Sequence, residues 1–435
     1  MSTDCRFTRH TRAAASGPAP RRAPVSAMVV RALLRRIVRD LPVRVELPDS
    51  SVLGGGDPSA PTMLIRDSRL FDRIGRDHKI GLGEGFLAGE WEAAPGTDLA
   101  DLLTPFAARL ADIVPPALRR FRRLVEARHP GHEDNDRAGA QANISRHYDL
   151  SNEVFALFLD ETMTYSAAWF DAAESQSGFA GLAAAQRRKV DGILDLAGVR
   201  EGSRVLEIGS GWGQLALQAA GRGARVDTIT LSREQRSLAR ERVAAAGLDD
   251  LIDVRLQDYR DVTGRYDAVV SVEMIEAVGE RYWAVYFQTL ADRLAPGGRV
   301  ALQAITMSHE RMLDSRHAYS WVHKYIFPGG LIPSLEAIDE YAARAGLVVV
   351  QRRSLGPDYA HTLRLWRERF LARAGEVRAL GFDERFLRVW ELYLAYSEAG
   401  FRSGHLDVHQ LALVPRETAS LPTCPPAHPH DEEGR

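Results

Sequence analysis

The chain has 435 residues, is 45% hydrophobic and carries a formal net charge of −2, which is enough to bury two or three units and argues against nucleic-acid binding through overall basicity. Its two cysteines, Cys5 and Cys424, sit in polar end segments, so a disulfide framework, a cysteine zinc site and a cysteine nucleophile are excluded. No apolar run approaches the ~20 residues of a bilayer span, and a cytoplasmic protein is expected.

Residues 1–27 are rich in Arg, Ala and Pro without apolar periodicity and read as a disordered tail. MVVRALLRRIVRDL (28–41) sets Val, Leu and Ile against Arg31, Arg35, Arg36 and Arg39. That pattern predicts a basic amphipathic helix, either a domain helix with solvated arginines or a segment lying on anionic lipid. It lacks the neutral apolar core and cleavage site of a secretory signal. VRVELP and PTMLIRD read as strands of a small α+β domain over 28–125, and the polar, breaker-rich EARHPGHEDNDRAGAQAN (126–143) reads as a linker.

Residues 144–414 form the second unit, in which helices and strands alternate from about residue 181. Helices are expected at 181–196, 213–222, 232–246 and 280–295, and strands at 204–209, 225–231, 252–258, 266–272 and 299–306. Such alternation specifies an α/β fold with a doubly wound parallel sheet. Strand-like runs at 347–355 and 406–414 flank helices at 361–376 and 383–399. Residues 415–435 read as a second tail, where His428 and His430 are solvated, and no metal site is expected.

VLEIGSGWGQLA (205–216) places Gly209, Gly211 and Gly213 where the first strand of this sheet meets its helix, the region where α/β sheets bind ligands. The spacing is G-x-G-x-G, whereas a dinucleotide site wants G-x-G-x-x-G and an acidic residue ending the second strand. Here that strand ends in Thr230. Glu207, two residues before the first glycine, offers a carboxylate for a ligand ammonium group, so S-adenosylmethionine fits better than NAD.

HYDLSNEVF (147–155), MTYSAAWF (163–170), VLEIGSGWG (205–213), ITLSREQ (229–235), LQDYRD (256–261), SVEMIEAVG (271–279), KYIFPGG (324–330) and DYAHTL (358–363) occur in this order. In them the sequence resembles the cyclopropane fatty acid synthases and mycolic acid cyclopropane synthases, from about residue 145 to 414. GLGEGFLAGEWE (81–92) extends the resemblance into the smaller domain, as in the phospholipid-acting members. The resemblance implies a class I, Rossmann-like methyltransferase that adds the methyl of S-adenosylmethionine to a cis double bond of a membrane phospholipid acyl chain. It also implies peripheral contact with the inner face of the membrane and a homodimer.

Carried over by motif, Tyr165 and Ser166 cover the cofactor's amino-acid part, Gly209, Gly211 and Gly213 admit it, Thr230, Leu231 and Gln235 meet the ribose region, and Tyr259 with Asp258 borders the adenine. An alkene attacking a sulfonium methyl leaves a carbocation, so the site must be dry and lined with π faces, for which Tyr165, Trp169, Phe170 and Tyr359 are candidates. The cation then needs a base. The resemblance implies a bound bicarbonate held by a glutamate, a histidine, a tyrosine and backbone amides, with Glu276, Tyr359 and Ile305 matching three of those positions.

Two positions depart from that pattern: Ala167 replaces Cys, and Gln303 in LQAI replaces His. Gln cannot carry the charge that helps hold an anion, which puts bicarbonate in doubt. A built-in carboxylate is the other solution, with Glu161 the first choice because LDETMTYS puts it four residues before Tyr165, Glu398 the second, and Glu273 a further candidate. Proton loss from the added methyl closes a cyclopropane, whereas a prior hydride shift leaves a methylene branch; the sequence leaves both open. The same fold also serves methylation of small soluble molecules, or lipid binding without turnover. The N-terminal domain favours a membrane substrate, and the intact cofactor motifs favour turnover.

Overall fold

The computed structural model of the protein describes residues 25–109, 135–137, 139–140, 143, 151–316 and 318–419. The tails expected over 1–27 and 415–435 and the linker expected over 126–143 lie largely outside these residues, as do residues 147–150 of HYDLSNEVF.

The basic amphipathic pattern forms the helix Val25–Arg39, which buries Val38 and leaves Met28 and Val29 exposed. Strands β1 (Arg44–Glu46), β2 (Val52–Leu53), β3 (Thr62–Ile65) and β4 (Trp91–Ala93) follow and make a sheet in the order β2-β1-β3-β4. This small unit does not have a core of its own. Val43, Trp91 and Leu102 share one continuous apolar cluster with Phe155, Trp366 and Trp390 of the larger unit. The helix Leu99–Ala108, capped by Asp98 accepting from the Ala100 and Asp101 amides, packs against the helix Glu384–Arg402.

The larger unit holds β5 (Arg204–Ile208), β6 (Arg225–Thr230), β7 (Ile252–Leu256), β8 (Tyr266–Val272), β9 (Leu294–Thr306), β10 (Leu347–Ser354) and β11 (Asp407–Pro415). Their order is β10-β11-β9-β8-β5-β6-β7. The five strands β9-β8-β5-β6-β7 are parallel as expected, but β10 and β11 join antiparallel at one edge, so the sheet is mixed. Every residue of β5 after Arg204 is buried, as the apolar run VLEI requires of a central strand covered on both faces. The chain leaves β5 toward β6 on one side and returns through β8 on the other. That reversal opens the crevice beyond the strand ends where α/β sheets bind ligands.

The helix expected from 361 begins at Gly356. Pro357 explains the earlier start, because its fixed φ and missing N–H suit a first helical turn. Tyr359 is thereby carried on that turn, facing the ends of β8 and β9. Among the described residues, no helix is long and apolar enough to cross a membrane.

Candidate active site

The turn after β5 builds the floor of a cavity. Gly209 and Gly211 have φ of +96° and +48°, conformations that glycine adopts without the strain of a side chain. A Cβ on Gly211 would meet no protein atom within 4 Å, so the space above it is free for a ligand. Gly213, expected to admit the cofactor, instead starts the helix Gln214–Gly221, and a Cβ there would meet Ala239 at 3.3 Å. Its smallness serves helix packing.

Tyr165, Ser166, Glu207, Thr230, Leu231, Gln235 and Tyr259 all line this cavity. Glu207 accepts from Thr228 Oγ1 at 2.6 Å; burial pushes its carboxyl up to about 8, against the opposing pull of Thr228 and Lys189. Thr230 donates to Gln235 Oε1 at 2.8 Å. Tyr259 has a buried hydroxyl with no hydrogen-bond partner among the described residues, a donor left for a ligand. Asp258 is placed elsewhere: Arg260 holds its carboxylate at 2.6 Å, and Gln257 and Tyr259 line the cavity on either side of it. An acid at one end, free backbone above two glycines and an unpaired hydroxyl at the other suit a zwitterionic amino acid joined to a nucleoside, and so fit S-adenosylmethionine.

At the wall of this cavity, Glu273 follows the last residue of β8 with φ of +48°, a left-handed conformation that is strained for a side chain larger than glycine. Its carboxylate accepts from three donors. Oε1 accepts from the Ala167 amide at 2.9 Å and from Gln303 Nε2 at 2.8 Å, and Oε2 accepts from Tyr359 Oη at 2.7 Å. Burial raises the Glu273 carboxyl above the usual glutamate range, while Lys189 and these donors oppose the rise. Gln303 is oriented in turn, since its Oε1 accepts from Gln410 Nε2 at 3.1 Å. Burial, with Glu273 beside it, raises Tyr359 well above the ordinary phenol range, so it remains a donor.

Glu276 lies one helical turn on, half-buried, with Oε1 accepting from the Ile305 amide and a buried Oε2 that has no partner among the described residues. Burial first, and then the Glu273 charge, push its carboxyl up to about 8. Two adjacent buried carboxyls do not both ionise readily. Glu273 has three donors against one for Glu276, so the charge resides on Glu273 and the proton on Glu276.

The other two carboxylates named as built-in bases are elsewhere. Glu161 is exposed and paired with Arg187, because Met163 at φ +54° turns the chain between it and Tyr165. Glu398 is buried but neutralised by Arg367 at 2.9 Å and Arg402 at 3.2 Å, in a cluster with Asp98 that ties the small unit to the large one. Trp169 and Phe170 do not line the cavity either: Arg353 covers the Trp169 ring at 4.1 Å, and Phe170 packs on His361 at 4.6 Å. Glu161→Gln is therefore expected to leave kcat within about twofold of the wild type, as for an ordinary surface change, measured as methyl transfer to lipid vesicles.

A family model described as mycolic acid cyclopropane synthetase matches residues 135–411. The chain belongs to that family. It is 53% identical over 396 residues to the tuberculostearic acid methyltransferase UfaA1 of Mycobacterium tuberculosis, covering 90% of this chain and 92% of that protein. It is 33% identical over 359 residues to the cyclopropane-fatty-acyl-phospholipid synthase of Escherichia coli K12, covering 82% and 88%. The solved structure of the mycolic acid cyclopropane synthase CmaA1 complexed with SAH and CTAB is 31% identical, covers 63% of this chain and 97% of that one, and superposes with a TM-score of 0.58. The protein is an S-adenosylmethionine-dependent methyltransferase of the lipid-modifying, cyclopropane synthase type, with a class I methyltransferase fold.

Sequence reasoning names Glu273 only as a further candidate, whereas its carboxylate is the one held by the Ala167 amide, Gln303 and Tyr359. Lys189, which no motif singled out, is buried and lines the cavity. The available signal for Glu273 was its place directly after a parallel strand, at the sheet end where ligands bind.

Proposed function

We propose that the enzyme methylates the cis double bond of an unsaturated phospholipid acyl chain, that Glu273 takes up the proton released, and that the product is a methylene-branched chain. The observation that carries this reading is the Glu273 carboxylate itself, held by the Ala167 amide, Gln303 and Tyr359. These are the positions at which the resemblance places the groups around a bicarbonate, and the built-in carboxylate leaves no need for that ion. Gln303 then suits its place: it donates to an anion already attached to the chain, and no histidine charge is required.

S-adenosylmethionine supplies an electrophilic methyl. As the alkene π pair forms the new C–C bond and the C–S bond breaks, the neighbouring alkene carbon becomes cationic. The chain's part is to exclude water and present π faces and a carboxylate to that charge; Tyr165 stacks within the cluster of Phe155, Phe158 and Trp366 beside the cavity. A hydride shifts from the methyl-bearing carbon to the cationic one, and Glu273 removes a proton from the added methyl, leaving C=CH2. The methylene outcome is favoured over a ring because the relative at 53% identity is named for tuberculostearic acid and not for a cyclopropane. The helix Val25–Arg39, with exposed Met28 and Val29 beside its arginines, is the segment that meets anionic lipid.

Mass spectrometry of phospholipids from bacteria expressing the protein tests this directly. The expected product gains one CH2 and is cleaved by ozone at a terminal methylene. An ozone-resistant product of the same mass is a cyclopropane and overturns the methylene assignment; unchanged lipids overturn the substrate assignment.

A further inference from the structure

We infer that Lys189 and Ser166 together recognise the carboxylate of the cofactor's amino-acid moiety, with Lys189 fixing the direction in which the Ser166 hydroxyl donates. The inference rests on the assignment of this cavity to S-adenosylmethionine and adds a residue that the motifs do not name.

Lys189 lies in the helix Phe179–Leu196 and is 1% exposed. A buried lysine is rare without a paired charge. Burial pushes its ammonium down to about 8, against the opposing pull of Glu273, Asp160 and Glu207, and none of the three forms an ion pair with it among the described residues. Its one hydrogen bond there is to Ser166 Oγ at 2.5 Å. An ammonium has three N–H donors and no acceptor. Ser166 Oγ must therefore accept from Lys189, and its own hydrogen is left to donate elsewhere.

No described residue takes that hydrogen, and both Ser166 and Lys189 line the cavity. That hydrogen is available to an acceptor on a ligand bound in the cavity. A hydroxyl held as donor, backed by a buried positive charge, selects an anionic oxygen, and S-adenosylmethionine offers one in its carboxylate. Glu207, at the neighbouring strand end and accepting from Thr228 Oγ1, is left to serve the ammonium.

Calorimetry on the full chain with two ligands separates this role from a structural one. S-adenosylhomocysteine carries the amino-acid moiety; 5′-methylthioadenosine keeps the nucleoside thioether and lacks it. Lys189→Gln is expected to weaken S-adenosylhomocysteine by roughly tenfold or more, the usual worth of a hydrogen bond to a charged group, and to leave 5′-methylthioadenosine unchanged. Ser166→Ala should show the same selectivity, and the double variant should lose no more than the weaker-binding single one, because both residues act on one oxygen. Should Lys189→Gln not fold, Ser166→Ala carries the test with the same two ligands. Equal losses for both ligands, or unchanged S-adenosylhomocysteine affinity, overturn the inference. A wild-type chain that binds neither ligand overturns the cofactor-site assignment and this inference with it.

Discussion

Glu273→Gln is expected to lower kcat by about 10²–10⁴-fold, the range for loss of a positioned general base, while S-adenosylhomocysteine binds as in the wild type. The substitution is close to isosteric and its contacts can be kept. The side-chain oxygen still accepts from the Ala167 amide and Gln303 Nε2, and the new NH2 faces Tyr359 Oη, which can turn to accept. What is lost is the ability to take a proton. Glu276→Gln should be far milder, because Glu276 is pushed up to about 8 and is a neutral acid at pH 7, which Gln mimics. The pH profile follows from the same geometry. Glu273 must be ionised to act and its carboxyl is raised by burial, so kcat should fall as pH drops through a value above the ordinary glutamate range. Single-turnover assays across pH for both variants check these expectations. Equal losses in the two would show that the proton is not divided between the carboxyls as argued.

Gly211→Val is expected to weaken S-adenosylhomocysteine by about a hundredfold, as for overfilling a close-packed site. A Cβ at this position meets no protein atom within 4 Å apart from its chain neighbours, so the added side chain enters cavity space, not core. The φ of +48° adds backbone strain of about 1–2 kcal/mol for an L-residue, which should appear as a modest fall in Tm. Calorimetry with the folded variant decides the matter: affinity within threefold of the wild type would place the ligand away from the glycine turn.

The glycine turn could be read from the sequence because its requirements are local. A buried apolar strand, two glycines and the following helix fix one another within a dozen residues, and Glu207 comes with them. The proposed base was legible only as one candidate among several. Glu273 and Glu276 are three residues apart in one strand-to-helix turn, and what distinguishes them is the backbone angle at Glu273 together with donors from residues 167, 303 and 359. Those donors are brought together by the sheet and by a helix whose start at Gly356 depends on Pro357. Spacing misled at Glu161 for a related reason: four residues suggest proximity to Tyr165 only if no left-handed residue intervenes, and Met163 does. Glu398 reads from the sequence as a surface carboxylate as readily as a base; it is buried, and its arginine partner Arg367 is 31 positions away in sequence. The small unit read as a separate domain because its strands precede a polar stretch, whereas its apolar face is completed by aromatic residues from the far end of the chain.

The central claim, that the protein's own carboxylate replaces bicarbonate as the proton acceptor, is tested most directly by chemical rescue. Glu273→Gly removes the carboxylate and leaves the Ala167 amide, Gln303 and Tyr359 around a space sized for a small anion. Methyl transfer is measured for the wild type and this variant in bicarbonate-stripped buffer and again with added bicarbonate or formate. The wild type should be indifferent to both anions, and the variant should be inactive when stripped and regain turnover as anion is added. A wild type that stops when bicarbonate is removed, or a stripped variant that works at the wild-type rate, would contradict it.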